Sequence, residues 1–121
     1  MEKATPRARR VGDQIQRELA GLVTEELGDP RIGMVTISSV DVSRDLRVAH
    51  VRVTVLQPER RAESLAVLRR AAGYLRHALS RRMRIRTVPE LRFEFDEATE
   101  RGWRVSALID AAHGRGPAGD G

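Results

Sequence analysis

The spacing of hydrophobic residues switches along this chain between a helical period and a strand period, and these switches restrict the folds that it can adopt. The first apolar series recurs at three- and four-residue intervals: Val11, Ile15, Leu19, Leu22, Val23 and Leu27. Such spacing is typical of an amphipathic helix with one buried stripe. Thr5 and Pro6 are suited to begin this helix, as an N-cap and a first-turn proline, and Gly28 is suited to end it.

Two segments with a period of two residues follow and predict a β-hairpin. The first strand is a run of β-branched residues between Val35 and Val42, and its alternation slips near Ser39, which indicates a β-bulge. Residues 43–45 form the predicted turn. Hydrophobic and polar residues alternate again over 46–56, so this stretch is the predicted second strand.

The helical period returns at Glu59 and is interrupted at Gly73. A glycine inside a helical pattern is unfavourable, so it predicts a kink between one helix over 59–72 and another over 74–83. A third strand follows Pro89, where apolar and charged residues alternate once more.

The last part of the domain and the aromatic residues are less strongly patterned. Residues 97–112 leave room for a last short helix. The chain has only four aromatic residues, Tyr74, Phe93, Phe95 and Trp103, and we interpret all four as packing residues rather than base stackers.

This order of elements predicts an α+β fold in which helices cover one face of a mixed three-stranded sheet. The length of 121 residues fits one domain. We assign residues 1–6 to an N-terminal extension and residues 7–112 to the folded domain. Residues 113–121 are rich in glycine and form a predicted disordered tail.

Composition argues against several classes of function. The absence of cysteine excludes disulfides and thiolate metal sites, and His50, His77 and His113 are too far apart for a local metal motif. The longest uncharged stretch, 32–40, is far shorter than the roughly 20 residues of a membrane span. The N-terminus has no apolar core of the kind that a secretory signal needs. We therefore expect a cytoplasmic protein with no metal, cofactor or membrane partner.

Positive charge is concentrated in one segment. Of the 22 basic residues 21 are arginine, and the whole chain carries a net charge of +5. Residues 69–92 alone carry +7, because Glu90 is the only acid beside eight arginines: Arg69, Arg70, Arg76, Arg81, Arg82, Arg84, Arg86 and Arg92. A run without compensating acids predicts a surface that binds a polyanion. The scarcity of aromatic residues favours recognition of the backbone and shape of structured RNA.

The order helix, strand, strand, helix, helix, strand is that of a type II KH domain. The GxxG loop of such domains is absent between the paired helices, and Ala71-Ala72-Gly73 stands in its place as an Ala-x-Gly kink. The kink is accompanied by the strings DPRI at 29–32, VDVSRDL at 40–46, VPEL at 88–91 and GWRV at 102–105. In this combination the chain closely resembles the bacterial ribosome-binding factor A family over residues 7–110.

The resemblance implies a non-catalytic factor that binds the free small (30S) ribosomal subunit. Such a factor assists late maturation of 16S rRNA, including processing of its 5′ end, and is associated with growth in the cold. The resemblance further implies a monomer with a functional link to ribosome-assembly GTPases. The matching positions that would face rRNA are the kink Ala71, Ala72 and Gly73 with Arg76, Arg81, Arg82 and Arg84, and secondarily Arg7, Arg9 and Arg10. The charge of the segment adds Arg69, Arg70 and Arg86 to this set of RNA-binding candidates.

Two other functions are open to the same sequence. The paired helices would suit a DNA-binding helix-turn-helix regulator, although the second helix starts Tyr74-Leu75-Arg76-His77 and offers few base readers. An enzyme would need a catalytic set. Asp41 and Asp45 flank the predicted turn and are explained by turn chemistry, and His50 lies between valines with no identifiable nucleophile. We therefore predict no catalytic residues.

Overall fold

The computed structural model describes residues 5–29 and 31–112. The predicted tail, the first four residues of the predicted N-terminal extension and residue 30 lie outside the described residues. The elements in chain order are α1 Pro6–Glu26, β1 Val35–Val42, β2 Val48–Val55, α2 Arg61–Arg70, α3 Ala72–Arg82, β3 Glu90–Phe95 and α4 Glu97–Ala112. A short 3-10 turn, Pro58–Arg60, leads into α2.

The strands form one mixed sheet in the order β1-β2-β3. β1 and β2 pair antiparallel as the predicted hairpin, and β2 and β3 pair parallel. The register between β1 and β2 shifts between Ile37 and Ser39, which confirms the expected bulge. Helices α1, α2 and α3 all pack against the strands. The core lies between these helices and one face of the sheet, whose central buried residues include Val51, Val53 and Phe93.

α1 begins where its sequence predicts, because the Thr5 Oγ1 accepts a hydrogen bond from the Ala8 N–H at 3.0 Å. The helix lies close against β1 at Gly12. A Cβ at this position would stand 2.8 Å from the Val40 carbonyl oxygen, so only glycine allows this approach. Beside it, the Gln16 side-chain amide donates to the Ile37 carbonyl at 3.0 Å, at the bulge.

The break between the paired helices lies at Ala71, the first residue of the predicted Ala-x-Gly kink, so the helix boundary predicted at Gly73 was wrong by two residues. Ala71 has helical dihedral angles, with φ −86° and ψ 0°. Its N–H donates to the Val67 carbonyl and its own carbonyl accepts from the Leu75 N–H. Backbone hydrogen bonds therefore continue through the break, and Gly73 lies in the first turn of α3.

The last helix is longer than the short helix expected for this stretch. Its N-cap is Asp96, whose carboxylate accepts from the Thr99 N–H at 3.1 Å and from the Ser38 hydroxyl at 2.8 Å. Glu100 is buried and accepts from the Arg61 guanidinium at 2.8 Å. From Arg101 onward every described residue of α4 is exposed.

The aromatic residues divide between core and surface. Phe93 is 3% exposed and packs in the core as expected, and the half-buried Phe95 ring lies under the Arg61 guanidinium, 3.6 Å from the ring centroid. Tyr74 and Trp103 are 52% and 48% exposed, so the interpretation of these two as packing residues was wrong. Trp103 lies on the exposed part of α4, and Tyr74 lies at the surface of α3 beside α1.

Two further findings concern the part of the chain that the structure describes. No helix within residues 5–29 and 31–112 is long and apolar enough to cross a membrane. Within the same ranges, no three His, Asp or Glu side chains gather where they could hold a metal ion.

Candidate nucleic-acid interface

The kink lies beside β3, which is an edge strand of the sheet. Arg69 and Ala72 line a groove of about 360 Å³ along this edge, together with Arg92 and Glu94. The Arg69 Nε–H donates to the Phe93 carbonyl at 3.1 Å. This hydrogen bond holds the guanidinium against the strand, so its position is defined by backbone rather than by another charged side chain.

The small side chains of the kink leave its backbone open. Gly73 is exposed, and a Cβ added to it would meet nothing within 4 Å. Neither space nor backbone conformation within the protein therefore requires glycine here. Its effect is to leave the start of α3 accessible to the close approach of another molecule, which is one of the uses of glycine in proteins.

The arginines of α3 differ in their partners. The Arg76 Nε–H donates to the Val88 carbonyl at 2.8 Å, and Arg81 lies 3.2 Å from the His77 ring. Arg82 instead bridges α3 to two acids of α1, with Glu25 at 3.2 Å and Glu18 at 3.5 Å. The hydrogen bond that the Arg82 guanidinium donates to the Glu25 carboxylate raises the pKa of Arg82 above its ordinary value. Arg82 thus joins two helices and is partly neutralised within the protein.

Arg92 pairs with Glu90 at 3.2 Å, and, apart from Arg82, the remaining arginines of the basic segment form no ion pair with the described residues. Arg84 and Arg86 are exposed and form no ion pair with the residues in 5–29 and 31–112. Arg70 is also exposed, at the end of α2, and its positive charge contributes to holding the pKa of Asp29 low. The strongest cause is hydrogen bonding by the Arg31 guanidinium, which donates to the Asp29 carboxylate, and the pKa of Asp29 falls to about 2.

The first-helix arginines do not join the kink. Arg9 lies in a groove between α1 and β1, beside Asp13 and Asp41. Since β1 and β3 are the two opposite edges of the sheet, Arg9 and the kink are on opposite sides of the domain. Arg7 lies with Arg76 at a separate cleft, and Arg10 is exposed on α1.

One basic residue of this region was missed by the sequence reasoning. Arg47, in the turn between β1 and β2, lines the same cleft as Arg7 and Arg76. It lies outside the segment 69–92, so a charge sum along the chain cannot associate it with that segment. The only signal was its place beside a predicted turn, where side chains are exposed.

The start of α3 offers little to a DNA base. A helix-turn-helix protein reads base edges with side chains at the start of its recognition helix. Here the Tyr74 hydroxyl donates to Glu26 of α1, which raises the pKa of Tyr74, and the Arg76 Nε–H is used by the Val88 carbonyl. These contacts reduce the support for the DNA-binding alternative.

Comparisons with a family model and with individual relatives identify the same family. A family model described as ribosome-binding factor A matches residues 7–109. The chain is 57% identical over 113 residues to ribosome-binding factor A of Thioalkalivibrio sulfidiphilus, covering 93% of this chain and 88% of the relative. It is 58% identical over 114 residues to that of Alkalilimnicola ehrlichii, with the same coverage.

Two solved structures extend the comparison to the fold. The crystal structure of ribosome-binding factor A from Thermus thermophilus is 34% identical, with a TM-score of 0.64, and the match covers 72% of this chain and 93% of that one. A Thermus model fitted into a cryo-electron microscopy map of a 30S–RbfA complex is 36% identical with a TM-score of 0.64, covering 74% and 96%. The KH-like α+β fold expected from the sequence is thereby confirmed.

Proposed function

Because this chain belongs to the ribosome-binding factor A family, we propose that it binds the free 30S ribosomal subunit and assists late maturation of 16S rRNA, including processing of the 5′ end. The observation that carries the proposal is the match to the family model over residues 7–109. The Thermus relative described in a 30S complex supports the choice of the small subunit. The protein acts in the cytoplasm as a monomer without catalysis or cofactor, cooperates with assembly GTPases, and matters most in the cold.

The proposed rRNA face is centred on the kink. Ala71, Ala72 and Gly73 let an RNA backbone approach α3 closely, because they present almost no side-chain bulk. The arginines near the kink that would contact phosphates are Arg69, Arg70, Arg81 and Arg84. Arg76 and Arg86 would do so at the hairpin end of the sheet, where they line a separate cleft. Arg82 contributes mainly by positioning α3 against α1. Arg7, Arg9 and Arg10 are proposed as secondary contacts, with Arg9 reaching RNA only on the opposite side of the domain.

Arginine suits this task because its planar guanidinium can donate two hydrogen bonds to one phosphate. Phosphate contacts fix position without reading sequence, which fits a factor that recognises folded rRNA by shape. Binding that releases counterions is steeply salt-dependent, and ~6–10 contacts would cost about 10³–10⁵ in affinity between 50 and 200 mM salt.

A charge-reversal variant tests the proposed face. Arg81→Glu combined with Arg84→Glu should weaken binding to free small subunits by at least about tenfold, since two phosphate contacts become repulsive. Co-sedimentation through a gradient at two salt concentrations measures this, with whole ribosomes and naked DNA as competing ligands. Circular dichroism checks that the variant is folded.

The matched control is Arg101→Glu with Arg104→Glu, which changes net charge equally on the exposed part of α4. Equal losses in both variants would show that net charge alone drives binding and would remove the kink face from the proposal. Preference of the wild type for naked DNA over small subunits would support the DNA-binding regulator instead.

The maturation step needs a separate test in cells. A strain that lacks the gene for this protein should accumulate 16S rRNA with unprocessed 5′ ends, most strongly in the cold, and the wild-type gene should restore processing. Primer extension on 16S rRNA measures the fraction of mature ends. Normal processing in the deletion strain at low temperature would contradict this part of the proposal.

A further inference from the structure

We propose that a cleft at the hairpin end of the sheet binds a phosphate of the RNA backbone as a second contact, apart from the kink. This inference rests on the proposed function, which identifies the RNA as 16S rRNA. The cleft has a volume of about 490 Å³. Four separate segments bring an arginine to it: Arg7 of α1, Arg47 of the β1–β2 turn, Arg76 of α3 and Arg86 of the α3–β3 loop.

The balance of charge in the cleft is positive, because four arginines and two acids line it. The Asp45 carboxylate accepts from the Ser43 hydroxyl at 2.7 Å and from the Arg47 N–H at 3.1 Å. Glu90 accepts from the Arg92 Nε–H at 3.2 Å. Two carboxylates therefore face four guanidinium groups, and an incoming anion would balance the remaining positive charge.

The arginines are free to bind in different degrees. Arg7 and Arg86 form no ion pair with the described part of the chain. The Arg47 Nε lies 4.0 Å from the nearer Asp45 carboxylate oxygen, at the limit of an ion pair. Arg76 uses its Nε–H on the Val88 carbonyl, and its two terminal nitrogens have no partner among residues 5–29 and 31–112. These terminal nitrogens are the donors that a phosphate oxygen uses.

Hydrogen bonds and packing within the protein hold the turn that frames the cleft. The Ser43 hydroxyl oxygen accepts from the N–H groups of Arg47 and Val48, at 3.2 and 3.1 Å, and so closes the turn. Leu46 adopts φ +61°, and its half-buried side chain packs against the core. This conformation is costly for leucine and is maintained by the packing beneath it. Arg47 is thus presented from a fixed turn, which lowers the entropic cost of binding.

The chemistry of the lining favours a phosphate over a base. The apolar lining residues are aliphatic, namely Leu46, Ile85 and Val88, and none of the described lining residues is aromatic. A base would need an aromatic or comparable stacking partner, whereas a phosphate needs converging guanidinium groups. The groove beside the kink is lined by a different set of residues, so the two contacts are spatially distinct.

The first experiment uses Arg47→Ala combined with Arg86→Ala in the full-length protein. Affinity for isolated small subunits should fall about tenfold, and the slope of log K against log salt should decrease by about one to two, since each lost phosphate contact removes ~0.7–0.9. The control pair Arg101→Ala with Arg104→Ala makes the same change in net charge and should leave both quantities near those of the wild type. If the wild type binds small subunits and the cleft variant shows the same slope of log K against log salt, the cleft does not bind a phosphate. That result would leave the proposed function unaffected.

The second experiment tests the cleft without the ribosome. Amide NMR spectra of the wild type are recorded with a short single-stranded RNA and, separately, with inorganic phosphate. RNA should shift amides at 45–48 and 86–88, and the double variant should lose these shifts. Equal affinity for inorganic phosphate would identify the cleft as a site for a free anion and not for an RNA backbone. An absence of amide shifts with RNA would contradict the proposal that the cleft binds RNA. Failure of the wild type to bind small subunits, with the RNA shifts present, would contradict only the proposed function.

Discussion

Gly12 and Gly73 both lie inside helices, yet the surroundings of their α-carbons are opposite. The α-carbon of Gly12 is pressed against β1, where a Cβ would stand 2.8 Å from the Val40 carbonyl oxygen. At Gly73 a Cβ would meet nothing within 4 Å. Helix propensity alone disfavours glycine relative to alanine at both positions, by about 0.5–1 kcal/mol. The close packing of α1 against β1 accounts for glycine at position 12, whereas no contact within the described part of the protein accounts for it at position 73.

The same substitution at the two positions should therefore have opposite effects on stability. Gly73→Ala should raise the free energy of unfolding by up to about 1 kcal/mol and weaken small-subunit binding, because the new methyl group obstructs the approaching backbone. Gly12→Ala should lower the free energy of unfolding by roughly 1–3 kcal/mol through overpacking against β1. Urea unfolding and co-sedimentation measure the two properties. A Gly73→Ala variant that binds small subunits like the wild type would show that the kink does not contact RNA closely.

α4 is attached to the domain through its first turn. Asp96 caps it and Glu100 ties it to α2, while the rest of the helix is exposed. The Ser38 hydroxyl, followed by the Thr99 N–H, lowers the pKa of Asp96 below its ordinary value of 3.8. Attachment of α4 therefore depends on a carboxylate that also bonds to β1.

The contribution of Asp96 to the free energy of unfolding depends on pH. Because the pKa of Asp96 is lower in the folded state, its ionised form stabilises the protein above the ordinary pKa of 3.8. That contribution is lost as pH falls from about 4 through the folded-state value. Asp96→Asn keeps an N-cap oxygen but removes the titration, so its free energy of unfolding should depend less steeply on pH between 5 and 3. Urea unfolding across that range measures the slope, and identical slopes for variant and wild type would contradict the expectation.

Across the whole molecule, the packing of α1 on α3 redistributes the charge that the sequence concentrates in residues 69–92. Glu18, Glu25 and Glu26 lie far from that segment in the chain but contact it in the fold, through Arg82 and Tyr74. The basic surface is consequently smaller than the sum along the chain suggests. It is also extended at the hairpin end by Arg47, which that sum does not include.

Two substitutions with the same change in net charge test this redistribution. Arg82→Ala should lower the free energy of unfolding by about 0.2–1 kcal/mol, the range for exposed ion pairs, and should affect small-subunit binding little. Arg84→Ala should leave stability within about 0.5 kcal/mol of the wild type and weaken binding. Urea unfolding and co-sedimentation separate these outcomes. Equal losses of binding in the two variants would mean that net charge, and not position, governs the interaction.

The sequence by itself determined the elements, the mixed sheet and the bulge near Ser39, because apolar spacing records which face of each helix or strand is buried. Only the tertiary structure decided the break at Ala71, the exposure of Trp103 and the separation of Arg9 from the kink. It alone distinguished Arg82, paired with acids of α1, from Arg84. The reason is physical: spacing encodes the direction of a side chain within its own element, whereas its partners come from elements distant in the chain and are set by packing.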